Sequence, residues 1–230
     1  MKGMKIRSHE GGETQRYMQQ VFMWMFLGML ISAVAAFVVA TNETLASLIL
    51  GTWLFYALII LELVLVFVLV LAVKRVSALT ATFLFLGYAL LTGLTLSVIL
   101  LVYSIGSIFL TFVVSAAIFG GMAFYGWVTK ADLSRIGIIM FFGLIGIIIA
   151  ALINLFLQNS MLDLIISVIG VLVFTGLTAY DIQKIKQLNI LGNEGTDEDR
   201  KEAIMGALTL YLDFINLFLS LLRLMGKKHK

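Results

Sequence analysis

Polar positions in this chain are gathered into short clusters between seven long apolar blocks: Tyr17–Ala40, Leu45–Val73, Ala78–Val102, Ile105–Val128, Ile136–Leu157, Leu162–Ile185 and Ala203–Leu224. A helix crosses the hydrocarbon core of a bilayer with about 20 apolar residues, so each block predicts one spanning helix. The first block is too long for a cleaved signal peptide, and further spans follow it closely. Every connection is short except Lys186–Glu202. The pattern predicts an all-α integral membrane protein. A polar tail occupies 1–16, a seven-helix transmembrane domain 17–225 and a basic tail 226–230.

Composition narrows the class. Charged residues make up 13% of the 230 positions and hydrophobic ones 61%, against about 25% charge in a soluble protein. The length allows one domain. Cysteine is absent, which excludes disulfides, thiolate metal sites and cysteine nucleophiles. Proline is absent too, so bends must come from the 20 glycines. The net charge of +3 sits in loops, where it reports on topology and not on nucleic acid. Lysine and arginine fall 12 to 0 in favour of the N-terminal tail and the second, fourth and sixth connections, which predicts a cytoplasmic N-terminus. Seven crossings then leave Arg223, Lys227, Lys228 and Lys230 outside, against the same rule. Either the last block is a re-entrant hairpin, or the tail is an exception set by upstream charge; seven crossings are expected.

Three acids interrupt the apolar blocks: Glu62 in the second, Asp181 in the sixth and Asp213 near the middle of the seventh. An aspartate at the membrane centre costs roughly 3 kcal/mol on insertion scales, so such acids face a bundle interior or a water-filled path. On a seventh helix, Gly206, Thr209, Asp213, Asn216 and Ser220 fall within roughly 100° of arc. Ser167, Gly170, Thr178 and Asp181 form a narrower stripe on the sixth. Facing each other, the stripes make a polar seam with two carboxyl groups. One reading makes the acids hydrogen-bonded structural residues. The other makes them a cation or proton site, since hard cations such as Ca²⁺ prefer oxygen ligands and close carboxylates do not both ionise cheaply. Glu62 reads equally as a pore ligand or as a structural partner of an Asn, Ser or Tyr.

Two further signals are structural. Gly28, Ser32, Ala36 and Ala40 give the first helix a face for close packing. Gly192-Asn-Glu-Gly195 reads as a turn, and Thr196-Asp-Glu-Asp199 as a helix start with acids favoured by the dipole. The acidic run lacks calcium-loop spacing.

Ala179-Tyr-Asp-Ile-Gln-Lys-Ile-Lys186 and Ala207-Leu-Thr-Leu-Tyr-Leu-Asp-Phe-Ile-Asn-Leu-Phe218 resemble the transmembrane Bax inhibitor motif family, as bacterial members carry it. Thr129-Lys-Ala-Asp-Leu-Ser134 and Thr92-Gly-Leu-Thr-Leu-Ser97 add to the likeness, which covers nearly all the chain after the tail. The resemblance implies a seven-helix bundle with the seventh helix central, in the cell (inner) membrane. It implies a pH-sensitive calcium leak, Ca²⁺ being a permeant ion and no cofactor being needed. The di-aspartyl sensor maps onto Asp181 and Asp213, tentative calcium ligands, with Glu62, Thr178, Thr209 and Asn216 as the supporting polar seam. An arginine latch at the cytoplasmic end of the second helix maps onto Arg75, eighteen residues before Gly93. Lys74 is the near alternative, a point charge that grips a carboxylate less well.

Depth raises a difficulty for direct contact. Asp213 lies 12 residues past Lys201, about 18 Å of helix, whereas Asp181 lies five before Lys186, about 8 Å. Contact requires tilt, or a sixth helix that continues past Lys186.

Enzyme readings find little support. Intramembrane aspartyl proteases need Gly-x-Gly-Asp and Pro-Ala-Leu, but Asp213 follows Leu-Tyr-Leu. Both histidines, His9 and His229, are in tails, and the seventh helix has no mid-helix lysine for retinal. The alternative from another class is a non-conducting regulator that binds other membrane proteins, such as a membrane-bound AAA protease, through the first helix and the tail. The expected partners are the lipid bilayer, calcium and protons.

Overall fold

A computed structural model describes residues 2–72, 75–188 and 193–229, with side chains from residue 12 onward. Eight helices follow in order: α1 (Lys2–Thr41), α2 (Glu43–Leu50), α3 (Leu54–Ala72), α4 (Ala78–Val102), α5 (Ile105–Val128), α6 (Ser134–Leu157), α7 (Ser160–Leu188) and α8 (Asp197–Met225). Seven of them are long and apolar enough to cross a membrane. The chain is therefore an all-α membrane protein.

One expected boundary is corrected. The second block is not one helix: Asn42 caps α2 by accepting from the Leu45 N–H at 3.0 Å, and α2 stops at Gly51. The Thr52 hydroxyl then donates to Leu48 O and accepts from the Leu54 N–H, ending one helix and opening the next. Hydropathy passes over this break because the flanks are equally apolar. The 19 residues of α3 suffice for the span. The tail, in turn, is continuous with α1 from Lys2, because its polar residues are compatible with a helix and no proline stops it. The Gly192 end of the expected turn, like Lys74, lies outside the described residues.

The last block is a single unbroken helix of 29 residues, which removes the re-entrant hairpin. It starts at Asp197 because Thr196 caps it, accepting from the Asp199 N–H at 3.2 Å. Asp199 accepts from Gly195, and Asp197 accepts from the Ala78 N–H at the start of α4. The acidic run is thus a helix start, as its spacing indicates.

The chain divides into two compact units. One holds residues 1–102 and 188–211, the other 103–187 and 212–230. In the first, α1 packs on α4 through small residues. A Cβ on Gly93 would stand 2.5 Å from Ser32 O and 2.7 Å from Ala35 Cβ, so only glycine lets the two backbones come this close. The small-residue face of α1 is therefore taken up by α4 and is not free for a partner. Burial also separates the helices: two-thirds of the apolar window of α8 is buried (67%), against 6% for α3 and α6. Helices apolar all round and almost wholly exposed are those that face lipid.

In the second unit the C-terminal tail is strapped to the α4–α5 connection. The Ser104 N–H donates to Lys227 O, and the Lys227 N–H donates to Ser107 Oγ. The α5–α6 loop is gripped at the other end of α7: Gln183 accepts from the Leu133 N–H at 2.9 Å and donates to Ala131 O at 2.8 Å. Within this unit the tail thus lies at the end opposite the Lys130 loop, as an odd number of crossings requires.

Candidate functional site

α7 starts at Asn159, whose side-chain oxygen accepts from the Met161 and Leu162 N–H groups, and runs without interruption past Lys186 to Leu188. Lys186 is anchored to the end of α5. Its ammonium turns back to donate to Trp127 O at 2.8 Å and lies 4.7 Å from the centre of the Trp127 ring. The continuation adds two residues, about 3 Å of helix, which is less than the difference between the two depths. Asp181 on α7 and Asp213 on α8 are near enough for their carboxyl groups to act on each other electrostatically.

Both acids are buried, at 9% and 5% exposure. Asp213 Oδ2 is enclosed and accepts no hydrogen bond from any described donor. A buried carboxyl without a donor costs about 1–3 kcal/mol or more. Two neighbouring carboxyl groups can be completed by a proton held between them, so that one acid donates to the other, by a water that donates to them, or by a cation that bridges both.

The rest of the seam meets one expectation and departs from another. The stripes do face each other: a Cβ on Gly170 of α7 would stand 2.5 Å from Ser220 Oγ of α8, so the helices nearly touch there. Their hydroxyl and amide groups, however, do not serve the acids. Thr178 donates to Phe174 O at 2.7 Å, Asn216 to Leu212 O at 2.8 Å and Ser220 to Asn216 O at 2.8 Å. Thr209 donates to Met205 O at 3.0 Å. Each bond closes within its own helix, the usual alternative for a polar side chain with no partner across the interface.

Glu62 belongs to a different site. In the first unit it accepts from Thr92 Oγ1 at 2.7 Å and lies 3.1 Å from Thr95 Oγ1, both on α4. Its hydrogen-bonded partners are threonines, which the sequence does not suggest, and a tyrosine, Tyr88, one of the expected residue types, interacts with it as well. The same neighbourhood holds two groups to which the sequence assigns no hydrogen-bonding role, Ser32 reading only as a packing residue. Ser32 Oγ lies 2.6 Å from Ala89 O and 2.7 Å from the Tyr211 hydroxyl, and Tyr211 is fully buried with its ring edge-on to Phe85 and Tyr88. The available signal was Tyr211 itself, a polar group among the apolar residues opposite the stripe.

Gln183 was also missed. Its amide clamps the backbone of the Thr129–Ser134 loop at Ala131 and Leu133. In that loop the Ser134 hydrogen bonds to Asp132 hold its exposed carboxyl below the ordinary range. Arg75 is exposed in the turn after α3, where its N–H donates to Ala72 O at 2.7 Å. Among the described residues no group of three or more acids or histidines gathers as a metal site. Asp181 and Asp213 therefore offer a cation two carboxyl groups and no third.

The sequence profile described as inhibitor of apoptosis-promoting Bax1 matches residues 14–230. The chain is 47% identical over 216 residues to the inner membrane protein YbhL of Escherichia coli K12, covering 93% of this chain and 92% of that protein. An uncharacterized protein of Borreliella burgdorferi is 44% identical over 214 residues, with coverages of 93% and 92%. An uncharacterized membrane protein of Streptococcus pyogenes is 39% identical over 215 residues, with coverages of 92% and 93%.

Proposed function

The chain belongs to the Bax inhibitor family, membrane proteins and not a known enzyme family, and from that premise we propose that it is a pH-sensitive calcium-leak channel. The observation that carries the reading is the buried Asp181–Asp213 pair with an oxygen that no described donor reaches. Such a pair is suited to hold a proton or a hard cation, and it exchanges one for the other. Oxygen donors without thiol or imidazole favour calcium over zinc or copper. Two carboxyl groups without a third ligand group suit passage rather than tight retention. Movement is down the gradient, since no phosphate-binding loop for energy coupling occurs in the sequence.

Arg75 acts as the latch, pairing with Asp181 while that carboxyl is ionised and holding the pathway shut. Protonation of Asp181 removes the attraction, so mild acid opens the channel. Stronger acid removes the charge that attracts calcium, so flux falls again. The profile is bell-shaped, and its two midpoints belong to the coupled groups. The protein lies in the inner membrane with a cytoplasmic N-terminus, and the strapped basic tail is the outward exception to the charge rule. A regulator that grips other membrane proteins has less support, because the small-residue face of α1 is covered by α4.

Purified protein in vesicles loaded with a calcium dye tests the reading. Calcium influx that peaks at mildly acidic pH, without any other protein, is the expected result. A folded preparation that passes no calcium at any pH overturns it in favour of the regulator.

A further inference from the structure

In the second unit, α6 stops, α7 starts and α8 stops around one cavity of about 310 Å³. It is lined by Ala151, Asn154, Leu155, Asp163, Ile166 and Arg223. Two opposite charges meet in it. Asp163 Oδ1, in the first turn of α7, lies 3.8 Å from Arg223 Nη1, in the last turn of α8. That separation is too long for a direct hydrogen bond. Both side chains are about half exposed, at 50% and 44%, so each keeps hydrogen-bonding capacity for a third party. Asn154 adds an amide oxygen, held in place because it accepts from the Asn159 N–H at 2.9 Å.

The position of the cavity is as informative as its charges. It lies at the ends of three helices that are each long and apolar enough to span, which is headgroup depth. One wall is α6, almost wholly exposed and apolar, with Leu155 at 67% exposure and the adjoining Phe156 at 85%. An occupant can therefore enter sideways from the bilayer with its acyl chains against α6.

We propose that this cavity binds the headgroup of a zwitterionic phospholipid bearing a primary ammonium, the phosphate on Arg223 and the ammonium on Asp163 and Asn154. In such a headgroup the two charges are two carbons apart, close enough to span one loose ion pair. The guanidinium offers the fork of donors that suits phosphate. A primary ammonium has three N–H donors for the carboxylate and the amide oxygen, whereas a choline headgroup has none. An anionic glycerol headgroup satisfies Arg223 but leaves Asp163 facing a negative charge. The assignment does not depend on calcium conduction.

Native mass spectrometry of the full chain in detergent, titrated separately with phosphatidylethanolamine, phosphatidylcholine and phosphatidylglycerol, tests it. The expected result is binding of phosphatidylethanolamine about tenfold tighter than of either other lipid, the scale of one charge-assisted contact. Asp163→Asn should abolish that preference, and Arg223→Gln should weaken all three lipids. Equal binding of the three lipids to the wild-type protein overturns the proposal even if both variants fail to fold. Tightest binding of phosphatidylglycerol, improved by Asp163→Asn, would make this an anion site only and overturn it too. Free phosphoethanolamine binding as tightly as the lipid would overturn the lipid assignment in favour of a soluble zwitterion.

Discussion

Glu62 on α3 and Asp213 on α8 are both carboxyl groups within candidate spans, and the chain treats them in opposite ways. Glu62 has a threonine hydroxyl beside each of its oxygens and remains part-exposed. Asp213 is more deeply buried, has one oxygen that no described donor reaches, and lies near another acid. An acid already completed by its neighbours has no chemical need of an ion, and it ties α3 to α4 as a polar contact between helices does. An acid that lies near another acid and has an oxygen no described donor reaches is suited to hold a proton or a cation. The residue type is nearly the same; the neighbours assign the role.

The largest effect expected from this contrast is at Asp213. Asp213→Asn should lower calcium flux at least tenfold while leaving the melting temperature unchanged or raised, because an amide can donate to Asp181 and the pairing of two acids is gone. Flux and thermal unfolding measured on the same preparation check it. Wild-type flux would remove Asp213 from the pathway and weaken the contrast at its root.

Glu62→Leu should do the reverse. It takes the acceptor from the Thr92 and Thr95 hydroxyls, at a cost of about 1–3 kcal/mol in stability, and should change flux by less than about twofold. A Glu62→Leu protein as stable as wild type but unable to conduct would place Glu62 beside the aspartates. Arg75→Ala should be milder: flux at neutral pH should rise a few-fold and the acidic rise should flatten, while the fall at low pH stays. A pH profile identical to wild type would show that the latch is wrong, whatever the aspartates do.

The smallest effect is expected at the seam hydroxyls. Thr178 and Thr209 donate within their own helices, so Thr178→Val and Thr209→Val should each change stability by about 0.5 kcal/mol or less and leave flux intact. A strong loss of flux from either valine would mean that these hydroxyls turn toward the ion during passage.

Sequence alone determined the class and most of the frame. Long apolar blocks predict spans because lipid leaves no other partner for backbone polar groups; α4 and α5 begin and end where the hydropathy places them. The helix start at Thr196 was legible because capping is local chemistry. So was the exceptional character of Asp181 and Asp213, since a charge among apolar residues is visible without knowing its neighbours. The break at Gly51–Trp53 was not, because hydropathy averages over a turn whose flanks are equally apolar. Nor was the proximity of the two acids, whose depths counted from Lys186 and Lys201 differ by several ångströms and which helix packing nonetheless brings near each other. Spacing placed Thr178, Thr209 and Asn216 on the polar stripes, yet only tertiary packing decided that they bond their own helices while Thr92 and Thr95 serve Glu62. The physical reason is one of range. Spans and caps depend on residues within a few turns of each other, whereas a carboxyl group's partner is whichever side chain another helix brings within about 3 Å.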